Sequence, residues 1–278
     1  MRAKRPAELD DGDVARRLEV ALEIAEEVEG VITPYFQSPD LLVETKSDDS
    51  PVTVADRDAE ALLRQRIESA FPGDGILGEE HGEKIGSNAE GFRWILDPID
   101  GTESFIRGVP LFGTLIAVEY AGISVVGVIN LPALQEMVYA SRDQGAWHVA
   151  RHQDPIPAKV SRVSSLAGAL FTSAGADGYK YVDRMRAYDQ VAAACGKARG
   201  WGDCYGYYLV AIGQADLMID PIMNLWDTAA LLPIIEEAGG TYTDWSGIAT
   251  THSSNAVATN GLIHEDVLRI LRSNNAPK

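Results

Sequence analysis

The chain has 278 residues, of which 46% are hydrophobic and 23% charged, as is typical of a soluble globular protein with a sizeable core. It carries 24 basic and 41 acidic side chains, and the net charge of −17 disfavours nucleic acid as a partner. No run approaches the ~18 uninterrupted apolar residues of a membrane span, and the two cysteines provide no disulfide framework. Because so acidic a surface repels anions unless bound cations reverse the field, clustered carboxylates become candidate metal ligands.

In the N-terminal half, helical spacing of apolar residues predicts an amphipathic helix over 13–30 and a second from Ala55 to Ala70, which Pro72-Gly73 ends. The polar run 46–51 between them is typical of a loop. Short apolar runs bounded by Gly, Pro and Asp then predict buried strands. These lie at 75–78, 92–96, 111–119, 123–129, 137–140 and 146–149. Their hairpin spacing favours an antiparallel sheet.

After the Pro-containing stretch 154–157 the pattern changes to alternating strands and helices. Helices are predicted at 179–196, 204–213, 226–238 and 263–273, and strands near 169–173, 216–220 and 256–259. The sequence thus predicts a mixed α+β N-terminal half (1–150) and an α/β C-terminal half (151–278). Because the connections are short, we expect the halves to share a cleft. The polar N-terminus lacks the apolar core of a signal peptide, so the expected location is the cytoplasm.

The run Trp94-Ile95-Leu96-Asp97-Pro98-Ile99-Asp100-Gly101-Thr102 carries the strongest chemical signal. A hydrophobic strand leads into Asp-Pro-x-Asp-Gly, where proline fixes the chain direction and glycine permits a tight backbone. Two carboxylates three residues apart can then converge, and Mg²⁺ prefers such oxygen ligands. Asp-Pro and Asp-Gly are also common turn dipeptides, so a plain turn is the alternative.

The other acidic candidates have ordinary structural interpretations when each is taken alone. Glu79 and Glu80 end an apolar run and could belong to a solvated loop. Asp56 closes Thr53-Val54-Ala55-Asp56, which resembles a capping box with Asp in place of Glu. Asp227 stands at the start of a predicted apolar helix and could be its N-cap. Only their combination with the Asp-Pro-x-Asp-Gly run favours a shared site.

In this order, the segments Gly78-Glu79-Glu80, Asp97-Pro98-Ile99-Asp100-Gly101-Thr102 and Trp226-Asp227-Thr228-Ala229-Ala230 resemble the motifs of the inositol monophosphatase superfamily. The resemblance runs from Asp48 to Gly240. It implies a layered αβαβα sandwich of the inositol monophosphatase and sugar phosphatase type. It also implies a magnesium-dependent phosphomonoesterase that acts on a small phosphate monoester and forms a homodimer.

The resemblance also assigns roles to matching positions. The implied metal ligands, for two or three Mg²⁺ or Mn²⁺ ions, are Glu79, Asp97 (bridging), the backbone carbonyl of Ile99, Asp100 and Asp227. Asp56 and Thr102 match the pair that orients the attacking water beside a further, weaker metal, with Glu79 as a catalytic neighbour. The backbone amides of Gly101 and Thr102 are suited to hold phosphate oxygens.

A second resemblance lies in the C-terminal half. The run Arg199-Gly200-Trp201-Gly202-Asp203-Cys204-Tyr205-Gly206-Tyr207, followed by Asp220-Pro221, is similar to the histidinol-phosphate phosphatase branch. It implies hydrolysis of L-histidinol phosphate in histidine biosynthesis, with Arg199, Asp203 and Asp220 as candidate substrate contacts. Two carboxylates would suit a substrate with a cationic amine and an imidazole. Alternatively, Asp203 caps the helix predicted at 204–213 and Asp220 closes a strand.

Other functions stay open at this point. An inositol monophosphatase or a broad sugar phosphatase would use the same metal cluster, whereas a nucleotide 3′-phosphatase is disfavoured because no large insertion lies near the metal motifs. A catalytically idle relative could serve as a binding partner, although the complete acidic set argues against lost activity. Covalent mechanisms lack a signature, since there is no Gly-x-Ser-x-Gly elbow or Walker A loop and the five histidines are scattered.

Overall fold

The computed structural model describes residues 9–46, 51–87, 91–151 and 153–273. The first part of the polar N-terminus, most of the loop predicted at 46–51, and His152 lie outside these ranges. The helices are α1 Asp11–Ile32, α2 Val54–Ala70, α3 Thr102–Ile106, α4 Ala176–Tyr181, α5 Met185–Ala194, α6 Asp203–Ala211, α7 Leu225–Thr228, α8 Leu231–Glu237 and α9 His264–Ser273. The strands are β1 Val43–Thr45, β2 Pro51–Thr53, β3 Gly75–Gly78, β4 Gly82–Lys84, β5 Phe92–Asp100, β6 Gly113–Tyr120, β7 Ile123–Leu131, β8 Glu136–Ser141, β9 Ala146–Ala150, β10 Ile156–Pro157, β11 Leu170–Thr172, β12 Lys197–Arg199, β13 Leu217–Asp220, β14 Thr241–Thr243 and β15 Ala256–Thr259.

Two main sheets organise these elements. The larger has the strand order β10-β9-β8-β7-β6-β5-β3-β4, and its neighbours are antiparallel except for the parallel pair β3 and β5. The smaller has the order β12-β11-β13-β15-β14, in which β12, β11 and β13 are parallel and β15 is antiparallel to both neighbours. The antiparallel sheet predicted for the N-terminal half is confirmed. It extends to Pro157, and the division into halves at residue 150 stays a prediction.

The packing of the two sheets defines the layers. Ile116 of β6 packs with α1 and α2, whereas its neighbour Leu115 faces the opposite side of the sheet, where α6 and α8 lie. Met218 of the smaller sheet joins that same central layer, and the adjacent Leu217 packs with α4, α5 and α9. Helical and sheet layers therefore alternate as αβαβα, which confirms the predicted fold class.

The two N-terminal helices form where apolar periodicity and capping residues predict them. Asp10 caps α1 by accepting hydrogen bonds from the amides of Gly12 and Asp13, and the buried face includes Ile24 and Val28. A capping box formed by Thr53 and Asp56 starts α2. Within the described ranges, no helix combines the length and apolar character needed to cross a bilayer.

Three sequence-based boundaries are wrong. The helix predicted at 179–196 is divided into α4 and α5, because Asp183 between them has a left-handed φ of 55°. The helix predicted at 226–238 is likewise divided into α7 and α8. The strand predicted to end at Leu96 runs on to Asp100, with irregular pairing against β6 between Asp97 and Asp100. Pro98, which has no N–H to donate, lies in this irregular segment.

Candidate active site

Three aspartates from distant parts of the chain meet at the carboxyl end of β5. One carboxylate oxygen from each of Asp97, Asp100 and Asp227 lies within 4.8 Å of the other two. The first two side chains come from the irregular end of β5, and the third comes from α7. The fold therefore brings together the two aspartate motifs that the sequence analysis treated as metal-binding candidates.

Burial and mutual repulsion disfavour the ionised form of this cluster. Asp97 is only 2% exposed, and burial together with the charges of Glu79 and Asp100 raises its pKa well above the usual value. Burial, and then the charge of Asp227, raises the pKa of Asp100 to about 7. Burial also raises the pKa of Asp227 to about 7, although hydrogen bonds from Asn224 oppose the shift. A bound cation would displace the protons that such carboxylates retain.

Two buried carboxylate oxygens near the cluster bear on whether a cation fits the site. Asp97 Oδ1 and Asp56 Oδ1 are buried and have no hydrogen-bond partner among the described residues. Buried polar atoms are nearly always bonded in folded proteins, so these two oxygens are available to coordinate a cation or to accept a hydrogen bond from water. Hard divalent cations take carboxylate oxygens, and the three clustered aspartates supply them. The residues present therefore fit a divalent cation such as Mg²⁺.

In both Asp56 and Asp227, one carboxylate oxygen accepts a hydrogen bond from the N-cap residue three positions earlier. The Oδ2 atom of Asp56 accepts hydrogen bonds from Thr53 N at 2.7 Å and Thr53 Oγ1 at 2.6 Å, which confirms the predicted capping box. The Oδ2 atom of Asp227 accepts one from Asn224 N at 2.7 Å. Asn224 is the N-cap of α7, so the alternative that Asp227 is the N-cap is wrong. Burial raises the pKa of Asp56 to about 6 despite its bonds to Thr53.

Glu79 lies beside the aspartates but outside the group within 4.8 Å. Its backbone N–H donates to Leu96 O at 3.2 Å, next to the start of the Asp-Pro-x-Asp run. Its Oε1 accepts a hydrogen bond from Lys46 Nζ at 2.7 Å, and the same ammonium group donates to Glu80 Oε1 at 2.6 Å. Burial alone would lower the pKa of Lys46, but these two partners raise it above the usual value. Burial raises the pKa of Glu80 to about 7.

The turn after β5 has the tight geometry predicted for it. Gly101 has a φ of 85°, and a Cβ there would lie 3.1 Å from Leu111 O and 3.2 Å from Asp203 Oδ2. Thr102 starts α3, and its hydroxyl donates to the carbonyl of Ile99 at 3.0 Å. The first amides of a helix lack intrahelical partners, so those of Gly101 and Thr102 are suited to phosphate oxygens. Ile99 as a metal ligand stays a prediction.

A cavity of about 120 Å³ adjoins the cluster, and both predicted substrate-binding aspartates line it. Asp203 begins α6 with a φ of 53°, and the N-cap position belongs to Gly202, so the capping alternative for Asp203 is wrong. Asp220 ends β13, as the structural alternative predicts, and its Oδ2 accepts a hydrogen bond from Tyr207 OH at 3.0 Å. Burial raises the pKa of both aspartates to about 7, aided by the charge of Asp100 on Asp203 and of Asp203 on Asp220.

The structure also adds residues that sequence reasoning missed. Lys46 and Tyr207 bind acidic groups of the site through contacts between distant segments. The spacing of one helical turn from Asp203 predicts that Tyr207 lies near that side chain, but it does not predict the bond to Asp220. The backbone N–H of Cys204 donates to Asp100 Oδ2 and so links α6 to the end of β5. Arg199 instead lies exposed on β12, outside the cavity lining, and donates to Ala198 O at 2.7 Å.

Known proteins share both the sequence pattern and the fold of this chain. The model of the inositol monophosphatase family matches residues 13–276, and the chain belongs to that family. It is 45% identical over 233 residues to a histidinol-phosphatase of Chlorobaculum parvum, covering 83% of this chain and 86% of that protein. It is 39% identical over 256 residues to a histidinol-phosphatase of Mycobacterium tuberculosis, covering 92% and 98%. A solved inositol monophosphatase from Zymomonas mobilis is 32% identical with a TM-score of 0.80, covering 96% and 100%.

Proposed function

We propose that this chain is a cation-dependent phosphomonoesterase that hydrolyses L-histidinol phosphate to L-histidinol and phosphate, a step of histidine biosynthesis. One observation carries the proposal: Asp203, which is partly buried, and Asp220, which is buried, add two carboxylates to the cavity that Asp100 and Asp227 also line. The histidinol-phosphatases to which the chain is similar support the same substrate.

The chemistry of the cavity suits a cationic alcohol portion. L-Histidinol phosphate has an amine that is charged at neutral pH and an imidazole that can be protonated. None of the described residues that line the cavity is basic, so Asp203 and Asp220 have no counter-charge there. A cationic ligand would supply one and would favour their ionised form. Each charge-assisted hydrogen bond contributes about 1.5–3 kcal/mol. Inositol phosphate offers only hydroxyl groups at this end and leaves the two carboxylates without a counter-charge.

We assign cation binding to Asp97, Asp100 and Asp227, with Glu79 and the carbonyl of Ile99 as further ligands. Two or three Mg²⁺ ions, or Mn²⁺ in their place, would attract the phosphate group, lower the pKa of an attacking water and stabilise the departing alkoxide. The unpartnered Asp97 Oδ1 supports its role as a ligand.

We assign the attacking water to Asp56 and Thr102. Asp56 Oδ1 is unpartnered in the described structure and can accept a hydrogen bond from water, while the bonds from Thr53 to Oδ2 keep the carboxylate from rotating. The hydroxyl of Thr102 donates a hydrogen bond to Ile99 O, so the hydroxyl oxygen remains free to accept one from water. The pKa of Asp56, about 6, leaves it ionised at neutral pH and able to accept a proton. The amides of Gly101 and Thr102 would hold phosphate oxygens.

Steady-state kinetics on L-histidinol phosphate and inositol 1-phosphate test the substrate directly. Asp203→Asn is the sharpest variant, because Asn keeps the shape of the side chain and tolerates the left-handed backbone at this position. We expect kcat/KM for L-histidinol phosphate to fall about 10- to 100-fold, the loss of one charge-assisted bond. With glycerol 2-phosphate, which has no cationic group, kcat/KM should stay nearly unchanged.

Asp177→Asn is the matched control, because the side chain of Asp177 on α4 is 96% exposed and lies outside the cavity lining. It should leave both substrates unaffected. A wild-type preference for inositol 1-phosphate would reverse the assignment in favour of an inositol monophosphatase. Cation binding without turnover of any monoester would instead favour a catalytically idle binding role.

The proposal includes a homodimer, a cytoplasmic location and no nucleic acid partner. The net charge of −17 supports the last point. Light scattering on the eluting protein tests the first: a mass of twice 30.0 kDa supports the dimer, and 30.0 kDa contradicts it.

A further inference from the structure

Glu60 is a fully buried carboxylate that the proposed mechanism does not use. It lies on α2 one helical turn after Asp56, so the two side chains share a face, and it is 0% exposed. Its Oε2 accepts a hydrogen bond from the backbone N of Glu80 at 2.7 Å, and its Oε1 accepts one from His81 N at 3.1 Å. Arg64 Nε donates to the same Oε1 at 2.7 Å. Both oxygens of this carboxylate are therefore bonded.

Glu60 can reach the turn after β3 only because residue 78 has no side chain. A Cβ on Gly78 would lie 2.1 Å from Glu60 Oε1, far inside van der Waals contact. Position 78 therefore requires glycine for a steric reason, since only a residue without a side chain leaves room for the carboxylate from α2 beneath the turn.

The turn that Glu60 binds is the one that carries Glu79. The N–H of Glu79 donates to Leu96 O on β5, and the next two amides along the chain donate to Glu60. Three consecutive backbone amides, those of residues 79 to 81, are therefore hydrogen-bonded, the first to β5 and the next two to Glu60 of α2. Rotation of this turn would move the carboxylate of Glu79 relative to Asp97, so the contacts of Glu60 fix a candidate cation ligand.

We propose that Glu60 is a positioning residue that fixes the turn bearing Glu79 and thereby sets the cation affinity of the site, an inference that rests on the proposed function. Glu60 acts through backbone amides and not on the substrate. Its carboxylate supplies acceptors for two amides and for Arg64. A glutamine would keep one acceptor and point two N–H donors towards groups that are themselves donors.

Glu60→Gln in the full chain tests this role. We expect the affinity for Mn²⁺, measured without substrate by electron paramagnetic resonance, to fall about 10- to 100-fold. The Mg²⁺ concentration that gives half-maximal phosphatase activity should rise by a similar factor. At saturating Mg²⁺, kcat should stay close to the wild-type value, because the reacting groups themselves are unchanged.

Asp216→Asn is the matched control. Asp216 is also a buried carboxylate that accepts a hydrogen bond from a backbone amide, that of Leu170 at 2.6 Å, but it lies directly before β13 of the smaller sheet and outside the acidic cluster. Its replacement should lower the melting temperature and leave the Mn²⁺ affinity unchanged. Glu60→Asp is the second variant should the glutamine variant not fold, because it keeps the charge but withdraws the carboxylate by one methylene.

The outcomes separate this inference from the function on which it rests. Wild-type Mn²⁺ affinity in a folded Glu60→Gln or Glu60→Asp protein would overturn the inference alone. An equal loss of affinity in Asp216→Asn would also overturn it, because the effect would then be general destabilisation. If the unaltered protein failed to bind Mn²⁺, the proposed function itself would fall, and the role of Glu60 with it.

Discussion

Two buried acidic groups flank the same strand, β5, and they differ in how their charge is balanced. Near its start, both oxygens of Asp74 accept hydrogen bonds from Arg17 at 2.8 Å, and Trp94 Nε1 donates to Oδ2 at 2.9 Å. The Arg17 guanidinium also stacks on Phe92, 3.5 Å from its ring centroid. At the other end of β5, Asp97 keeps an unpartnered oxygen among repelling carboxylates.

The comparison shows how a buried acid that the chain itself neutralises differs from one that it does not. A buried carboxylate is tolerated when the chain supplies its counter-charge, as Arg17 does for Asp74. The cluster of Asp97, Asp100 and Asp227 has no such partner within the described ranges, so its charge must be balanced by protons or by an external cation. The first arrangement is complete within the chain, whereas the second needs bound protons or a cation to balance its charge.

Asp97→Asn should have the largest effect. We expect kcat/KM to fall at least about 1000-fold, because a neutral amide would weaken the binding of cations that contribute several kcal/mol to transition-state stabilisation. The cation-free protein should keep its fold, since the neutral amide resembles the protonated carboxyl group that burial favours at this position. Kinetics together with circular dichroism measure both quantities. Near-normal rates would exclude Asp97 from the site.

Asp74→Asn should show the opposite pattern. The free energy of unfolding, measured in urea, should fall by about 3–5 kcal/mol, because Arg17 would remain buried without its full counter-charge. At a temperature where the variant is folded, kcat/KM and cation affinity should match the wild type. If activity were lost as in Asp97→Asn, the two ends of β5 would not differ in the way described.

The smallest expected effect is a pH dependence of the stabilisation by Mg²⁺. The pKa values of Asp100 and Asp227, about 7 in the cation-free fold, exceed the value near 4 of an unfolded chain. The folded state therefore binds more protons between about pH 4 and pH 7, and the cluster's contribution to stability declines as the pH rises through that range.

Mg²⁺ replaces these protons, so the rise in melting temperature that it causes should be small at pH 5 and larger at pH 8. Melting curves in Mg²⁺ and in chelator across this range provide the measurement, with Asp97→Asn as the variant in which the difference should shrink. A rise of the same size at every pH would contradict the raised pKa values.

Local patterns account for the elements that were predicted correctly. Apolar spacing and capping residues are properties of neighbouring residues, and α1, α2 and the antiparallel strands follow from them. The patterns failed where a contact or a backbone angle overrides them, as at the left-handed Asp183, which divides a predicted helix. They also failed at Asp97, where β5 continues through a proline because β6 still pairs beyond it.

Hydrophobic periodicity, which is a local property, was enough to predict the order of helices and strands. The layered sandwich and the grouping of the acidic motifs into one candidate set came from the resemblance of those motifs to a known family. Packing of the sheets and helices establishes which oxygens meet, which are unpartnered and which are already bound. Lys46 on Glu79, Glu60 beneath the turn after β3, and Tyr207 on Asp220 are examples. These contacts join segments whose separation along the chain carries no signal, because their distances arise only when the sheets and helices pack together.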